Sequence, residues 1–237
     1  MIIRALLQRF IFWFMGTWTY KKVCCWLVRS IRLPCFTRIR ARKAERIECD
    51  LWVGDVLLVG NPWALQAWAI PGRYDHGAKV VKIEPERWQC DRCGYVDQGG
   101  TGQNCPQCIS HGELDPGVME YHSREVIIGE MTACGYGEVS FIPWVQHYSR
   151  LKVRRPTNYD SDYQKQEIHI IRGLEGVPYD DQFAFGPEAV YCFELCVIGD
   201  IENRIEYQPS HLVGTKRMYI SGDDLAASPS LRTIAEV

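Results

Sequence analysis

Beyond residue 50 the apolar positions come in short runs set off by glycine, proline and aspartate, the pattern of strands rather than of long helices. "LWVGDVLLVGN" reads as a turn at Gly-Asp followed by a buried strand, and "HGAKVVKIE" as a second strand. "HSREVIIGEM", "GYGEVSFIP" and "RLKVRRP" continue the series, the last ending at Pro156. The polar stretch "TNYDSDYQKQEIHIIRGL" predicts a helix that stops near Gly173. "GPEAVYCFELCVIGD", bounded by Gly186-Pro187 and Gly199-Asp200, predicts a short helix beginning near Tyr191. These elements make a mixed sheet with helices, interrupted after the second strand by a cysteine-rich segment.

The first 46 residues differ in kind. Of the chain's 27 Lys/Arg, 11 lie in Met1–Arg46, which holds one of the 29 acids, Glu45, so a basic arm precedes an acidic body under a net charge of -2. The arm opens like a secretory signal but lacks a small-residue cleavage site and runs on into "KKVCCWLVR". Its uncharged run Phe10 to Tyr20 would rise only about 16 Å as a helix, against roughly 30 Å of hydrocarbon. On a helix, Arg4, Gln8, Lys22 and Arg29 share a side. Residues 1–46 therefore read as a basic hydrophobic helical arm that lies on a membrane surface or docks in a protein assembly. "RIRARKAER" reads as a solvated linker.

Four of the 11 cysteines have metal-ligand spacing. In "CDRCGYVDQGGTGQNCPQC", Cys90 and Cys93 form one Cys-x-x-Cys, and Cys105 and Cys108 form a second after eleven residues. Two such turns aim four thiolates at one ion and complete the tetrahedral set of a structural zinc ribbon, spanning 86–112. Four cysteine ligands leave no open position for catalysis. His111, just beyond, reads as a surface residue. Free thiols in this number favour a reducing compartment. The charge pattern argues against nucleic acid as a partner, since the ribbon carries two Asp and one Arg between its outer cysteines and the body is acidic.

In a helix starting near Tyr191, Cys192 falls in the first turn, where unpaired amides and the helix dipole favour thiolate. Cys196, one turn on, reads as small buried packing. A nucleophilic cysteine needs a base, and His76 is placed after a turn at the mouth of an apolar strand. His111, His122, His147, His169 and His211 sit in polar settings. On pattern alone, packing and nucleophile both remain open for Cys192.

In order, the segments resemble the circularly permuted papain-like amidases, YiiX-like relatives of the NlpC cell-wall peptidases. "VGDVLLVGN" is similar to the family's opening Gly-Asp strand, "YDHGAKVV" to its histidine strand and "EVIIGEM" to its glutamate strand. "GEVSFIPWVQHY" is similar to a following strand with a proline, and "LKVRRP", "GVPYDDQF" and "VYCFELC" to its strand-Arg-Pro, Pro-Tyr-Asp and Tyr-Cys-Ser-Glu-Leu segments. "ISGDDLAASPSL" resembles the closing stretch. The resemblance covers most of residues 50 to 235 outside the ribbon.

It implies an α+β fold: a permuted papain-like (NlpC-type) domain over 47–237, an antiparallel sheet packed on helices, with the ribbon inserted. It further implies His76 as base, Glu130 as the acid that orients it, and Cys192 as nucleophile. Glu125 and Glu138 are alternatives for the acid. Tyr74, Asp75, Tyr179 and Asp180 are either pocket residues or turn and surface structure. The family's serine after the cysteine is Phe193 here. The function implied is a thiol hydrolase acting on an amide or ester in a cell-wall peptide, a lipidated substrate or an isopeptide-like bond. The alternative is a non-catalytic assembly protein of a membrane complex or viral particle, docking through arm and ribbon.

Overall fold

A computed structural model of the protein describes residues 38–61, 72–97, 104–111, 117–158, 160–180, 183, 188–200, 204–211 and 218–237. In chain order the elements are α1 (Ala41–Asp50), β1 (Val56–Gly60), β2 (His76–Glu84), β3 (Arg87–Cys90), β4 (Val96–Asp97), α2 (Pro106–Ser110) and β5 (Met119–His122). They continue with β6 (Glu125–Thr132), β7 (Gly135–Ser140), α3 (Phe141–Val145), β8 (Arg150–Pro156), α4 (Ser161–Arg172) and α5 (Cys192–Ile198). Last come β9 (Ser210–His211), β10 (Met218–Tyr219), α6 (Gly222–Ala227) and β11 (Leu231–Glu236). The chain divides into a larger unit, residues up to Val81 with Ile127–Val237, and a smaller one, Lys82–Val126.

The larger unit is built on a six-stranded sheet of order β11-β8-β1-β2-β6-β7. The pairings β11–β8, β8–β1, β1–β2 and β6–β7 are antiparallel. The fold is thus mixed α+β with antiparallel pairing. All five residues of β1 are buried, which is why it reads as an unbroken apolar run rather than an alternation. Val56 and Leu58 pack with Tyr191, Phe193 and Leu225, while Val81, Met131, Ile168 and Leu195 form a second apolar cluster.

Two segments far apart in sequence fix the start of β1. Gly54 takes φ +89°, which a side chain would disfavour, and turns Asp55 inward. Arg155 Nε and Nη2 donate to the two Asp55 oxygens at 2.7 and 2.8 Å, and Nη2 also donates to the Asp50 carbonyl at 2.6 Å. The Trp52 amide donates to Asp55 Oδ2 at 2.9 Å. The Gly-Asp turn and the Arg-Pro strand are therefore two halves of one buried, bidentate pair.

Helix α4 starts where Asp160 accepts from the amides of Asp162 and Tyr163, and stops at Gly173. A reciprocal Ser221–Asp224 capping box starts α6. Helix α5 runs Cys192–Ile198 with Tyr191 at its N-cap. It lies so close to β2 that a Cβ at Gly77 would come within 2.8 Å of the Phe193 ring and 3.0 Å of Cys196 Sγ. On its other side a Cβ at Gly222 would meet that ring at 2.9 Å.

Two expectations need correction. "RIRARKAER" is not a solvated linker: Ile39, Ala44 and Ile47 are buried, α1 runs across residue 46, and the Ile39 amide donates to the Tyr148 carbonyl at 3.0 Å. Its basic residues mask a narrow apolar stripe one turn long. "GYGEVSFIP" is a strand only to Ser140; Phe141–Val145 turn into α3, with Phe141 and Trp144 inward. The arm's residues 1–37 lie outside the described residues. Among the described residues no helix is long and apolar enough to cross a membrane.

The contact at Gly77 makes a testable demand on the fold. Gly77→Ala should lower the unfolding free energy by about 1–3 kcal/mol through overpacking against Phe193 and Cys196. Urea unfolding monitored by tryptophan fluorescence checks this, and an unchanged midpoint would contradict the close approach.

Candidate functional site

The first residue of β2 and the first residue of α5 meet. His76 lies beside the Cys192 thiol, near enough for the two groups to influence each other electrostatically, and both side chains are buried. His76 Nε2 lies 2.8 Å from Glu130 Oε2 on β6. The structure thus brings together Cys192, His76 and Glu130 from three separated segments.

Two aromatic residues complete the surroundings. Trp144 Nε1 donates to the same Glu130 oxygen at 2.8 Å, so that oxygen takes two hydrogen bonds. The Tyr148 ring lies nearly parallel to the His76 imidazole, 12° between planes and 6.1 Å between centroids, and Trp144 packs against both rings. Sequence reading missed Trp144 and Tyr148. The aromatic pair of "PWVQHY" was the available signal, with Trp144 in α3 and Tyr148 three residues beyond its end.

Electrostatics follow from this geometry. Burial alone pushes the His76 imidazolium down, but hydrogen bonding and charge from Cys192, then from Glu130, outweigh it and raise His76 to about 10. Burial likewise pushes Glu130 up, yet His76 and the Trp144 N–H pull it below the ordinary carboxylate range. The favoured state has a proton on the ring and a negative charge on Glu130.

The other candidate acids lie elsewhere. Glu138 on β7 accepts from Arg172 Nε at 2.7 Å and from the Tyr136 hydroxyl at 3.0 Å, and Glu125 begins β6 in the smaller unit. Tyr74 is buried and donates to Glu236 at 3.3 Å. Asp75 is buried beside His76, accepts from the Asn61 amide at 3.1 Å, and is raised by burial to about 6. Tyr179 bridges Val190 and the Asp180 amide donates to the Val190 carbonyl at 3.0 Å, so this segment pairs with the chain two residues before α5.

In the smaller unit, β4, β3 and β5 form a three-stranded sheet with α2. Cys90 ends β3, Cys93 follows its turn, Cys105 caps α2 and Cys108 lies within it. Gly94, at φ +72°, lets the first turn close. The four sulfurs lie within 4.8 Å of one another, with Cys93–Cys105 at 3.5 Å and Cys90–Cys108 at 3.9 Å. A tetrahedron of thiolates around one ion at the usual Zn–S length has sulfurs roughly 3.8 Å apart, so these residues could hold a metal. The amides of Cys93 and Arg92 point at Cys90 Sγ, both at 3.4 Å, and outweigh burial to lower that thiol to about 7. His111 is exposed at the end of α2 and is not one of the cluster's residues.

Among solved structures, the chain is similar to the metalloprotein YiiX from Escherichia coli O157:H7. The TM-score is 0.50 and the identity 15%, over 79% of this chain and 98% of that one. At that identity the likeness concerns the fold. No protein-family model and no curated protein matches the chain.

The raised His76 sets a pH signature. An unfolded histidine titrates near 6.5, and the folded one near 10. The stabilisation His76 contributes is therefore full below about pH 6.5 and is lost as pH rises toward about 10. The stability difference between wild type and His76→Gln, measured by urea unfolding across pH, should shrink over that window. A difference that grew with pH would contradict the assignment.

Proposed function

We propose that the protein is a thiol hydrolase that cleaves an amide or ester bond through Cys192, His76 and Glu130 on a permuted papain-like core. The observation that carries this reading is the His76 ring beside the Cys192 thiol, with the Glu130 carboxylate 2.8 Å from Nε2. His76 accepts the thiol proton, and Glu130 fixes the ring and balances the imidazolium. The thiolate adds to the substrate carbonyl. Collapse of the tetrahedral intermediate expels the amine or alcohol, which takes its proton from His76, and leaves a thioester on Cys192. Water, deprotonated by His76, then releases the acid and restores the thiol. Peptides and acylated substrates are the matching substrate class.

In the same reading, Cys90, Cys93, Cys105 and Cys108 hold one structural Zn²⁺, chosen by an all-thiolate donor set. When bound, the ion ties two turns together and offers substrate no open position. The basic arm then serves to attach the enzyme to a membrane surface or a larger assembly.

Two experiments test these roles. A p-nitrophenyl acyl ester should give a burst of nitrophenol and a thioester on Cys192; Cys192→Ala should abolish both, and Glu130→Gln should slow turnover by about 10²–10⁴-fold. Equal turnover by Cys192→Ala would overturn the reading. Elemental analysis of the purified protein should find one zinc per chain, lost in Cys105→Ser; zinc retained in that variant would remove the cluster as its ligand set.

A further inference from the structure

Three residues beyond His76, the same strand carries a lysine where the surroundings are apolar. Gly77 approaches Phe193 and Cys196, and Val81 packs with Ile168 and Leu195, so alternate residues of β2 face α5 and α4. Lys79 lies on that face and is fully buried. Its Nζ donates to Cys196 O at 3.0 Å and to Glu167 Oε1 on α4. Glu167 is also fully buried, and its Oε2 has no hydrogen-bond partner. Burial raises the Glu167 carboxyl, against the pull of Lys79.

Such a pair is not explained by stability, since two well-packed apolar residues usually serve a core as well or better. Its geometry offers another explanation. Cys196 belongs to the last turn of a seven-residue helix, where carbonyls lack intrahelical partners and a cation is favoured. Glu167 also closes on the end of α5: a Cβ at Gly199, its C-cap, would come within 2.5 Å of Glu167 Cγ. Strand β2 meets α5 at three points: His76 beside Cys192 at its start, Gly77 under the Phe193 ring and Cys196 Sγ, and Lys79 at the Cys196 carbonyl. The packing at Gly77 sets how closely the helix lies, and the polar contacts at its two ends fix how it is turned on the strand.

We infer that Lys79, locked by Glu167, is a positioning residue that clamps the far end of α5 and thereby keeps Cys192 against His76. This rests on the reading of Cys192 and His76 as a reactive pair, and it adds a residue that touches neither the thiol nor the substrate carbonyl. The orphan Glu167 oxygen fits the role, because the carboxylate is placed for Lys79 and α5 rather than for its own full hydrogen bonding.

The test is the pH profile of Cys192 alkylation by iodoacetamide, located by mass spectrometry. In wild type the reaction should persist well below the range of a free thiol, and His76→Ala should remove that persistence. A wild-type profile that titrates as a free thiol overturns the parent reading, and this inference with it. In Lys79→Met/Glu167→Met both charges go together, so no orphan charge is buried, and circular dichroism verifies the fold. Alkylation at about pH 6 should then be on the order of 10- to 100-fold slower, with the profile moved toward that of a free thiol. A folded double variant with the wild-type profile overturns the clamp while leaving the reactive pair standing. Lys79→Leu/Glu167→Gln supplies a second arm should that double variant not fold. It too buries no charge and removes the bond to the Cys196 carbonyl, so the inference expects the same slowed alkylation, and a folded variant with the wild-type profile overturns it.

Discussion

Helix α5 can lie on β2 only because residue 77 has no side chain, and the rest of the site depends on that approach. With the Phe193 ring and Cys196 Sγ both within 3.0 Å of where a Cβ would stand, the helix axis is set by direct contact with the strand backbone. His76 and Cys192 are the leading residues of those two elements, so the packing distance sets the reach between imidazole and thiol. Phe193, where the resembled family has serine, takes its meaning from the same contact. Its ring fills the space between Gly77 and Gly222, so this position serves packing.

Buried charge repeats one pattern across the larger unit: each pair ties elements that are distant in sequence. Asp55 and Arg155 join the turn before β1 to β8, and Glu130 and His76 join β6 to β2. Lys79 and Glu167 join β2 to α4, while Tyr163 donates to Asp200 beyond α5. An apolar contact tolerates sliding, but a buried charge has one low-energy position, beside its partner. The sheet supplies the apolar body of the core, and these pairs fix how its elements are registered against one another.

That division explains what could be read from sequence. The unbroken run of β1, the capped and punctuated helix α4 and the two Cys-x-x-Cys turns are local signals, and each is found where expected. The junction of Cys192, His76 and Glu130 is not local, and only resemblance to a family placed these residues together. Lys79 was invisible because a lysine in "HGAKVVKIE" reads as the solvent side of a strand, and nothing nearby announces Glu167. Trp144 and Tyr148 were hidden by reading "GYGEVSFIP" as a strand to its end, with no helix beginning at Phe141. In α1, the basic residues outweighed Ile39, Ala44 and Ile47, and a docked helix read as a linker. In each case a tertiary partner overrode a local preference.

The cysteines show how far environment, rather than residue type, decides chemistry. Cys192 and Cys196 are one helical turn apart and both buried, yet they differ in what they meet. Cys196 Sγ faces backbone carbonyls, those of Cys192 at 3.5 Å and Ala78 at 3.7 Å, and burial pushes its thiol up. Carbonyls accept a proton's hydrogen bond and so favour the thiol form, which leaves Cys196 inert. Cys192 faces an imidazole that can take its proton and that a carboxylate holds in place. The four clustered cysteines meet one another, and two backbone amides favour negative charge on Cys90, so four sulfur donors are gathered at one point. Three settings made from one side chain thus provide a packing atom, a thiol beside an imidazole, and a set of donors that could hold a metal.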